Sequence, residues 1–311
     1  VTTVRLGLIG RQVAASLSPR LHACALELAD LAGHYDLLPC ETEADVRAVV
    51  HRLRAGDLAG VNVTAPWKPL ARTLCDELVP VRMRRRPVPP LAVNTLWMRQ
   101  DRLVGVGTDG PGLTDVLFGA GVPLTGARVV LLGAGGAGQA IAADVLEAGA
   151  RHLTIVNRHA DLAQTLALWL QAGFGAEAVT ASAWGEAKPL AKATLVLHAT
   201  SQGLAGKALE PGAFDWLPWA AWRRAVLFDL VYGHAGEPTP WQQRALDAGL
   251  PLDARLLEAP IETPRLHAPR GDPQGILLGS GLAMLAAQAA RSFRAWTGVL
   301  PDAGRLLRAV L

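Results

Sequence analysis

The stretch "GVNVTAPWK" at residues 60 to 68 sets Lys68 just beyond a short apolar run that carries Asn62 and Thr64. Polar side chains recur at the ends of other apolar runs: Ser16 and Ser18 in "SLS", Asn94 and Thr95 in "VNT", Thr108 and Asp109 in "TDG", and Gln288 near the end of the chain. A lysine among such groups can serve proton transfer. A free lysine side chain titrates near about pH 10.4, so at neutrality it donates as an ammonium, or acts as a base once stripped of water. A neighbouring aspartate would favour the ammonium, the form that can donate a proton to developing negative charge. Together the hydroxyls, the amides, Lys68 and Asp109 suit a polyhydroxylated, anionic small molecule, although a lysine and an aspartate 41 positions apart are usually two unrelated surface charges. Taken singly, several of these residues have plainer readings: Ser16 and Ser18 as caps, Asn94 and Thr95 as turn formers, and Gln288 as the surface of a helix.

A second motif points to a dinucleotide. "GAGGAG" places Gly133, Gly135 and Gly138 at G-x-G-x-x-G spacing, with Ala134, Gly136 and Ala137 between them, directly after "RVVLL" and before a helix-period segment. In that context the first glycine makes a tight turn, the second lets backbone approach a pyrophosphate, and the third lets helix and strand pack closely. The start of the helix adds free N–H groups and a partial positive charge. The next strand ends in Asn157 and Arg158 where an NAD enzyme would offer a carboxylate to the ribose. An arginine without an acid favours a 2′-phosphate, so NADP is the expected cofactor, with NAD possible.

These groups need a scaffold, and the pattern of apolar runs describes one. Strand-like runs alternate with helix-period segments, as in parallel sheets with crossover helices. "VRLGLIG" is followed by "SPRLHACALELADLAG", a predicted helix with Ser18 as N-cap, Pro19 at the first helical position and Gly33 at its stop. "HYDLLPC" reads as a strand, and "TEADVRAVVHRLRAG" as a helix with Thr42 and Asp45 at capping-box spacing, closing on Gly56. "LAGVNVT", "AVNTLWM" and "LVGVGTD" complete a first α/β unit. The second starts near Gly112 and includes "ARVVLLGAGGAGQAIAADVLEAGA", "HLTIVNR", "TLVLHAT" and "AVLFDLVY"; a long amphipathic helix, "GSGLAMLAAQAARSFRAWTG", spans 279 to 298. The expected division is a substrate-binding catalytic domain of residues 1–111 and 279–311, and a Rossmann domain of residues 112–278. The Pro-rich stretch 250–275, with Glu258, Glu262, Arg265 and His267, reads as a long loop, either a lid or interface or a plain surface excursion.

Composition narrows the class. With 311 residues, 50% of them hydrophobic, and no apolar run of the roughly 18 residues that span a bilayer, a globular protein away from membranes is expected. The N-terminal "VTTVRLGLIG" lacks the zones of a secretory signal, and three cysteines, Cys24, Cys40 and Cys75, lack metal spacing, so a cytoplasmic protein with free thiols and no metal is expected. The net charge of +3 is mild, and the basic run "VRMRRRP" at 81 to 87 has no interleaved aromatics, so no nucleic-acid partner is expected.

Together these motifs resemble the shikimate dehydrogenase family through nearly the whole chain: "SLSPRLH", "GVNVTAPWK", "AVNT", "GTDGPG", "GAGGAG", "NR", "DLVY" and "MLAAQAARSFRAWTG", in that order. The resemblance implies an N-terminal α/β substrate domain completed by the last helix, plus a Rossmann domain for NADP, working as a monomer or homodimer. It implies that Ser16 and Ser18 bind the carboxylate of shikimate, that Thr64, Lys68, Asn94, Asp109 and Gln288 surround its ring hydroxyls, and that Tyr232 approaches the same cleft. The implied reaction is reversible NADPH-dependent reduction of 3-dehydroshikimate to shikimate, with Lys68 and Asp109 as the catalytic pair and the Lys68 ammonium giving its proton to the oxyanion of the ketone under reduction. A paralogue acting on quinate or a related ring acid, and a non-catalytic ligand sensor, are the alternatives. Departures from the family pattern are Trp67 and Gly107 beside the catalytic motifs, His198 for an asparagine in "HATSQG", His159 for a threonine, and Leu162 for a basic residue. The last removes one partner for a 2′-phosphate.

Overall fold

The computed structural model describes residues 3–83, 87–203, 208–232, 237–250, 252–253 and 276–311. Glu258, Glu262, Arg265 and His267 of the expected loop, and Arg84 to Arg86 of the basic run, lie outside the described residues. Contacts divide the chain into two compact units, one of Val1–Val81, Pro87–Leu113 and Leu285–Leu311, the other of Arg82–Arg86 and Thr114–Met284. No helix among the described residues is long and apolar enough to cross a membrane.

In chain order the first unit carries β1 (Val4–Gly10), α1 (Ser18–Leu28), β2 (Gly33–Pro39), α2 (Glu43–Arg54), β3 (Gly60–Val63), α3 (Lys68–Leu74), β4 (Glu77–Leu78), β5 (Thr95–Arg99), β6 (Arg102–Val106) and the start of α4 (Asp109–Gly119). Six strands form one sheet in the order β2-β1-β3-β5-β6-β4. β1 pairs in parallel with β2 and β3, while β5 joins β3 and β6 antiparallel. This register sets Asn62 of β3 between Leu8 and Thr95, so a polar side chain enters the sheet centre where β3 is wholly buried. The core over one face gathers Ile9, Val46, Val50, Leu53, Val61 and Leu96.

The predicted capping box of α2 is present: the Thr42 hydroxyl accepts from the Asp45 backbone and the Asp45 carboxylate accepts from the Thr42 N–H. Two other boundaries differ from expectation. Ser18 is the first residue of α1, not its cap; Leu17 holds the cap position and Pro19 follows within the first turn. The same helix stops at Ala29, because Asp30 takes a left-handed conformation at φ 52°, and Gly33 opens β2.

The second unit holds β7 (Arg128–Leu132), α5 (Gly136–Glu147), β8 (His152–Asn157), α6 (Ala160–Phe174), β9 (Val179–Ala183), β10 (Leu195–His198), β11 (Val226–Asp229), α7 (Pro240–Asp247), β12 (Leu252–Asp253) and β13 (Ile276–Ser280). Its sheet is parallel throughout, ordered β12-β13-β11-β10-β7-β8-β9. The chain runs outward from β7 to β8 and β9, then returns to β10 on the other side of β7. That reversal makes the carboxyl ends of β7 and β10 a switch point, where parallel sheets bind ligands.

The last long helix, α8 (Gly281–Thr297), begins later than expected because residues 276 to 280 are drawn into β13 beside β11. Along it Ala286, Ala289, Ala290 and Phe293 are buried at helical spacing. α9 (Ala303–Arg308) follows and meets α1, where the Arg20 guanidinium donates to the Ala309 carbonyl.

Candidate active site

Lys68 opens α3 and Asp109 opens α4. The turn before Lys68 is anchored by Trp67, whose buried indole N–H donates to the Cys40 carbonyl at 2.8 Å and whose ring lies under the Arg11 guanidinium. Lys68 Nζ reaches Asp109 Oδ2 at 2.6 Å, and both side chains are largely buried, at 16% and 13% exposure. A carboxylate at the first residue of a helix also sits in the favourable field of its N–H groups. The other carboxylate oxygen accepts from Asn94 Nδ2 at 2.9 Å.

Asn94 is in turn fixed from both ends. Its Oδ1 accepts from the Thr108 backbone at 2.7 Å, and its amide also faces Thr108 Oγ1 at 2.9 Å. Gln288, reaching in from α8, is buried at 6% exposure; its Oε1 lies 3.3 Å from both Asn94 Nδ2 and Thr108 Oγ1. Gly112 permits this approach, since a Cβ there would press on the Gln288 backbone. The plain reading of Gln288 as helix surface is thereby excluded.

Beneath these residues Asn62 and Thr95, already noted among the polar groups at the ends of apolar runs, meet Tyr35 and Ser292, to which the sequence assigned no role. Asn62 donates to the Asn94 carbonyl at 3.0 Å and to Ser292 Oγ at 2.9 Å, while its Oδ1 accepts from the Tyr35 hydroxyl at 2.9 Å. Ser292 Oγ contacts Thr95 Oγ1 at 2.8 Å and donates to the Gln288 carbonyl. The one signal available was spacing: Ser292 stands four residues after Gln288, one turn along an otherwise apolar face. The Tyr35 ring stacks on His22 with centroids 4.3 Å apart. Burial pushes the His22 pKa down to about 3, slightly opposed by nearby Asn62, and burial likewise raises that of the Tyr35 hydroxyl.

Ser16 and Ser18 are joined, hydroxyl to hydroxyl, at 3.1 Å, and Ser16 Oγ also accepts from the Ser18 N–H. Thr64 is half-buried just past β3, with its N–H on the Ile9 carbonyl. Of the expected substrate residues, Lys68, Asn94, Asp109 and Gln288 form one bonded cluster. Tyr232 belongs to the second unit, three residues past β11, and burial raises its pKa.

In the second unit Gly133 turns at φ +111°, and a Cβ on Gly138 would overlap the Gly133 carbonyl, so both glycines are required by the backbone. At Gly135 and Gly136 an added Cβ would meet nothing within 4 Å, leaving bare backbone and the start of α5 facing open space. The N–H of Ala134 donates to Asn157 Oδ1 at 3.1 Å, which ties the end of β8 to the glycine turn. Ala137 continues the first turn of α5. These features fit a dinucleotide: N–H groups without a side-chain screen for a pyrophosphate, and Arg158 next to the tied strand end. Close by, His198 is fully buried between Trp241 and Phe214; its Nδ1 lies 2.8 Å from Asp229 Oδ1 and its Nε2 2.6 Å from Thr200 Oγ1.

The chain matches the family model of the shikimate dehydrogenase substrate binding domain over residues 8–84, that of shikimate / quinate 5-dehydrogenase over 117–204, and that of the shikimate 5′-dehydrogenase C-terminal domain over 281–311. It is 36% identical over 309 residues to the shikimate dehydrogenase (NADP(+)) of Rhodospirillum rubrum, covering 98% of this chain and 95% of the relative. Identity to the Bordetella petrii enzyme of the same name is 34% over 308 residues, covering 98% and 94%. The shikimate 5-dehydrogenase of Thermus thermophilus, solved in complex with NADP(H) and shikimate, is 30% identical with a TM-score of 0.75 over 99% of this chain and 98% of that one. By sequence over its whole length and by fold, the chain belongs to the shikimate dehydrogenase family.

Proposed function

We propose that this protein catalyses the reversible NADPH-dependent reduction of 3-dehydroshikimate to shikimate. The observation that carries the reading is the largely buried Lys68–Asp109 ion pair, locked to Asn94 and through it to Gln288. A ring acid of this kind has one carboxylate and several hydroxyls. In this reading the first unit is the substrate domain; Ser16 and Ser18 receive the carboxylate, and Thr64, Asn94 and Gln288 orient the hydroxyls, with Tyr232 contributing a further phenol. The second unit is the dinucleotide domain. Gly133 to Gly138 hold the pyrophosphate against the start of α5, and Asn157 and Arg158 hold the adenosine ribose and its 2′-phosphate. When bound, NADPH supplies the hydride.

The chain's own residues handle the proton. The Lys68 ammonium, held in place by the Asp109 carboxylate, donates from Nζ to the carbonyl oxygen as that oxygen gains negative charge, and then recovers a proton from solvent. Asp109 keeps Nζ in place and accepts from the substrate hydroxyl, while Asn94 holds the carboxylate at a fixed angle. In the oxidative direction the neutral amine takes the hydroxyl proton. The same reading includes a cytoplasmic protein with free thiols, working as a monomer or homodimer.

The experiment crosses purified protein with shikimate or quinate and with NADP or NAD, following absorbance of the reduced nicotinamide. Turnover of shikimate with NADP is expected to exceed that of quinate. Faster turnover of quinate would replace the substrate assignment, and no turnover with any combination would remove the catalytic one.

A further inference from the structure

The end of β8 lacks the acid that commonly receives an adenosine ribose, yet an acid is present in space. Arg158 Nη1 lies 2.9 Å from Glu210 Oε2. Glu210 comes from the segment after β10, and β10 and β8 are the two neighbours of β7. The ion pair thus joins the elements on either side of the strand that carries the glycine turn.

Glu210 is not a loose surface side chain on its backbone side. Its N–H donates to Gln202 Oε1 at 2.9 Å, and the Gln202 N–H donates to Thr200 Oγ1. Thr200 is held by buried His198, and His198 by Asp229. This chain of hydrogen bonds runs from the buried end of β11 out to the tip of Arg158. On the other side, Asn157 holds the residue before Arg158 against Ala134 of the glycine turn. Leu162, nearby in the first turn of α6, is exposed and supplies no second cation.

We propose that Glu210 is a cofactor-specificity residue, which competes with a 2′-phosphate for Arg158 and accepts hydrogen bonds from the ribose hydroxyls of a dinucleotide that lacks that phosphate. This rests on the proposed dinucleotide site. A 2′-phosphate and the Glu210 carboxylate want the same guanidinium and repel each other, so NADP must displace Glu210. NAD meets no such repulsion, and its 2′- and 3′-hydroxyls find the acceptor absent from β8. Glu210 therefore narrows the margin by which the protein prefers NADP.

The test is calorimetric binding of 2′,5′-ADP, 5′-ADP, NADP and NAD to the full chain and to Glu210→Gln and Arg158→Ala. Glu210→Gln keeps the side-chain size and lies at an exposed position, so the fold is retained. It is expected to tighten 2′,5′-ADP and NADP about tenfold and to weaken NAD several-fold, while Arg158→Ala removes the advantage of the 2′-phosphate. If the unaltered protein binds the nucleotides but Glu210→Gln leaves their affinity ratio within twofold, the role of Glu210 is overturned while the dinucleotide site stands. If the unaltered protein binds none of them, the site fails and this inference fails with it.

Discussion

The Lys68 ammonium and the Asp109 carboxylate meet at 2.6 Å although 41 positions separate them in the chain. Two helix starts bring this about, α3 after β3 and α4 after β6, in a sheet where β5 lies between those strands. Replacing Lys68 by Met keeps the aliphatic stem and removes the proton. Steady-state assays should show kcat lowered by roughly 10²- to 10⁴-fold, while shikimate binding measured at equilibrium changes far less. Unchanged turnover would take Lys68 out of the mechanism.

Ser292 supports the site without reaching the chemistry. Its hydroxyl serves Asn62, Thr95 and the Gln288 carbonyl at once. Ser292→Ala leaves buried polar groups short of a partner, at a cost of about 1–3 kcal/mol. Urea unfolding should register that loss, with kcat reduced much less than in Lys68→Met. A variant as stable as the parent would show that the pocket's hydrogen bonds rearrange freely.

His22 makes stability depend on pH. In the unfolded chain it titrates near 6.5, and in the fold burial lowers that to about 3. Between those values the unfolded chain holds a proton that the folded protein refuses. The stability contribution is therefore complete above about pH 6.5 and declines as the pH falls towards 3, by at most about 1.4 kcal/mol per unit. His22→Phe fits the same aromatic stack on Tyr35 and removes the titration. Its unfolding midpoint should fall less than the parent's between pH 7.5 and 5; parallel curves would mean that His22 does not govern this range.

Gly138 bears on the second unit alone. A methyl group at this position collides with the Gly133 carbonyl, so Gly138→Ala must push α5 away from the glycine turn. We expect a lower melting temperature and a loss of NADP affinity of at least tenfold by fluorescence titration. The corresponding substitution Gly135→Ala meets open space in the free protein. It should leave the melting temperature nearly unchanged and weaken only nucleotide binding, since its methyl group intrudes where the phosphates approach.

Local chemistry was legible in the sequence. The Thr42–Asp45 capping box depends on residues three apart, and the glycine turn on a strand, a spacing and a helix that are contiguous in the chain. Periodicity also marked α8 as amphipathic, because burial on a helix repeats every few residues. It overshot the helix start, since whether residues 277 to 280 pair with β11 depends on a strand some fifty positions earlier. No local rule marks a residue as facing another from a distant segment. Hence only the tertiary structure decided that Gln288 turns inward, that Asn62 gathers Tyr35, Thr95 and Ser292, and that Glu210 holds Arg158. Sequence spacing sets which face an element buries; the packing of other elements sets what that face meets, and the hydrogen bonds of this site belong to the second kind.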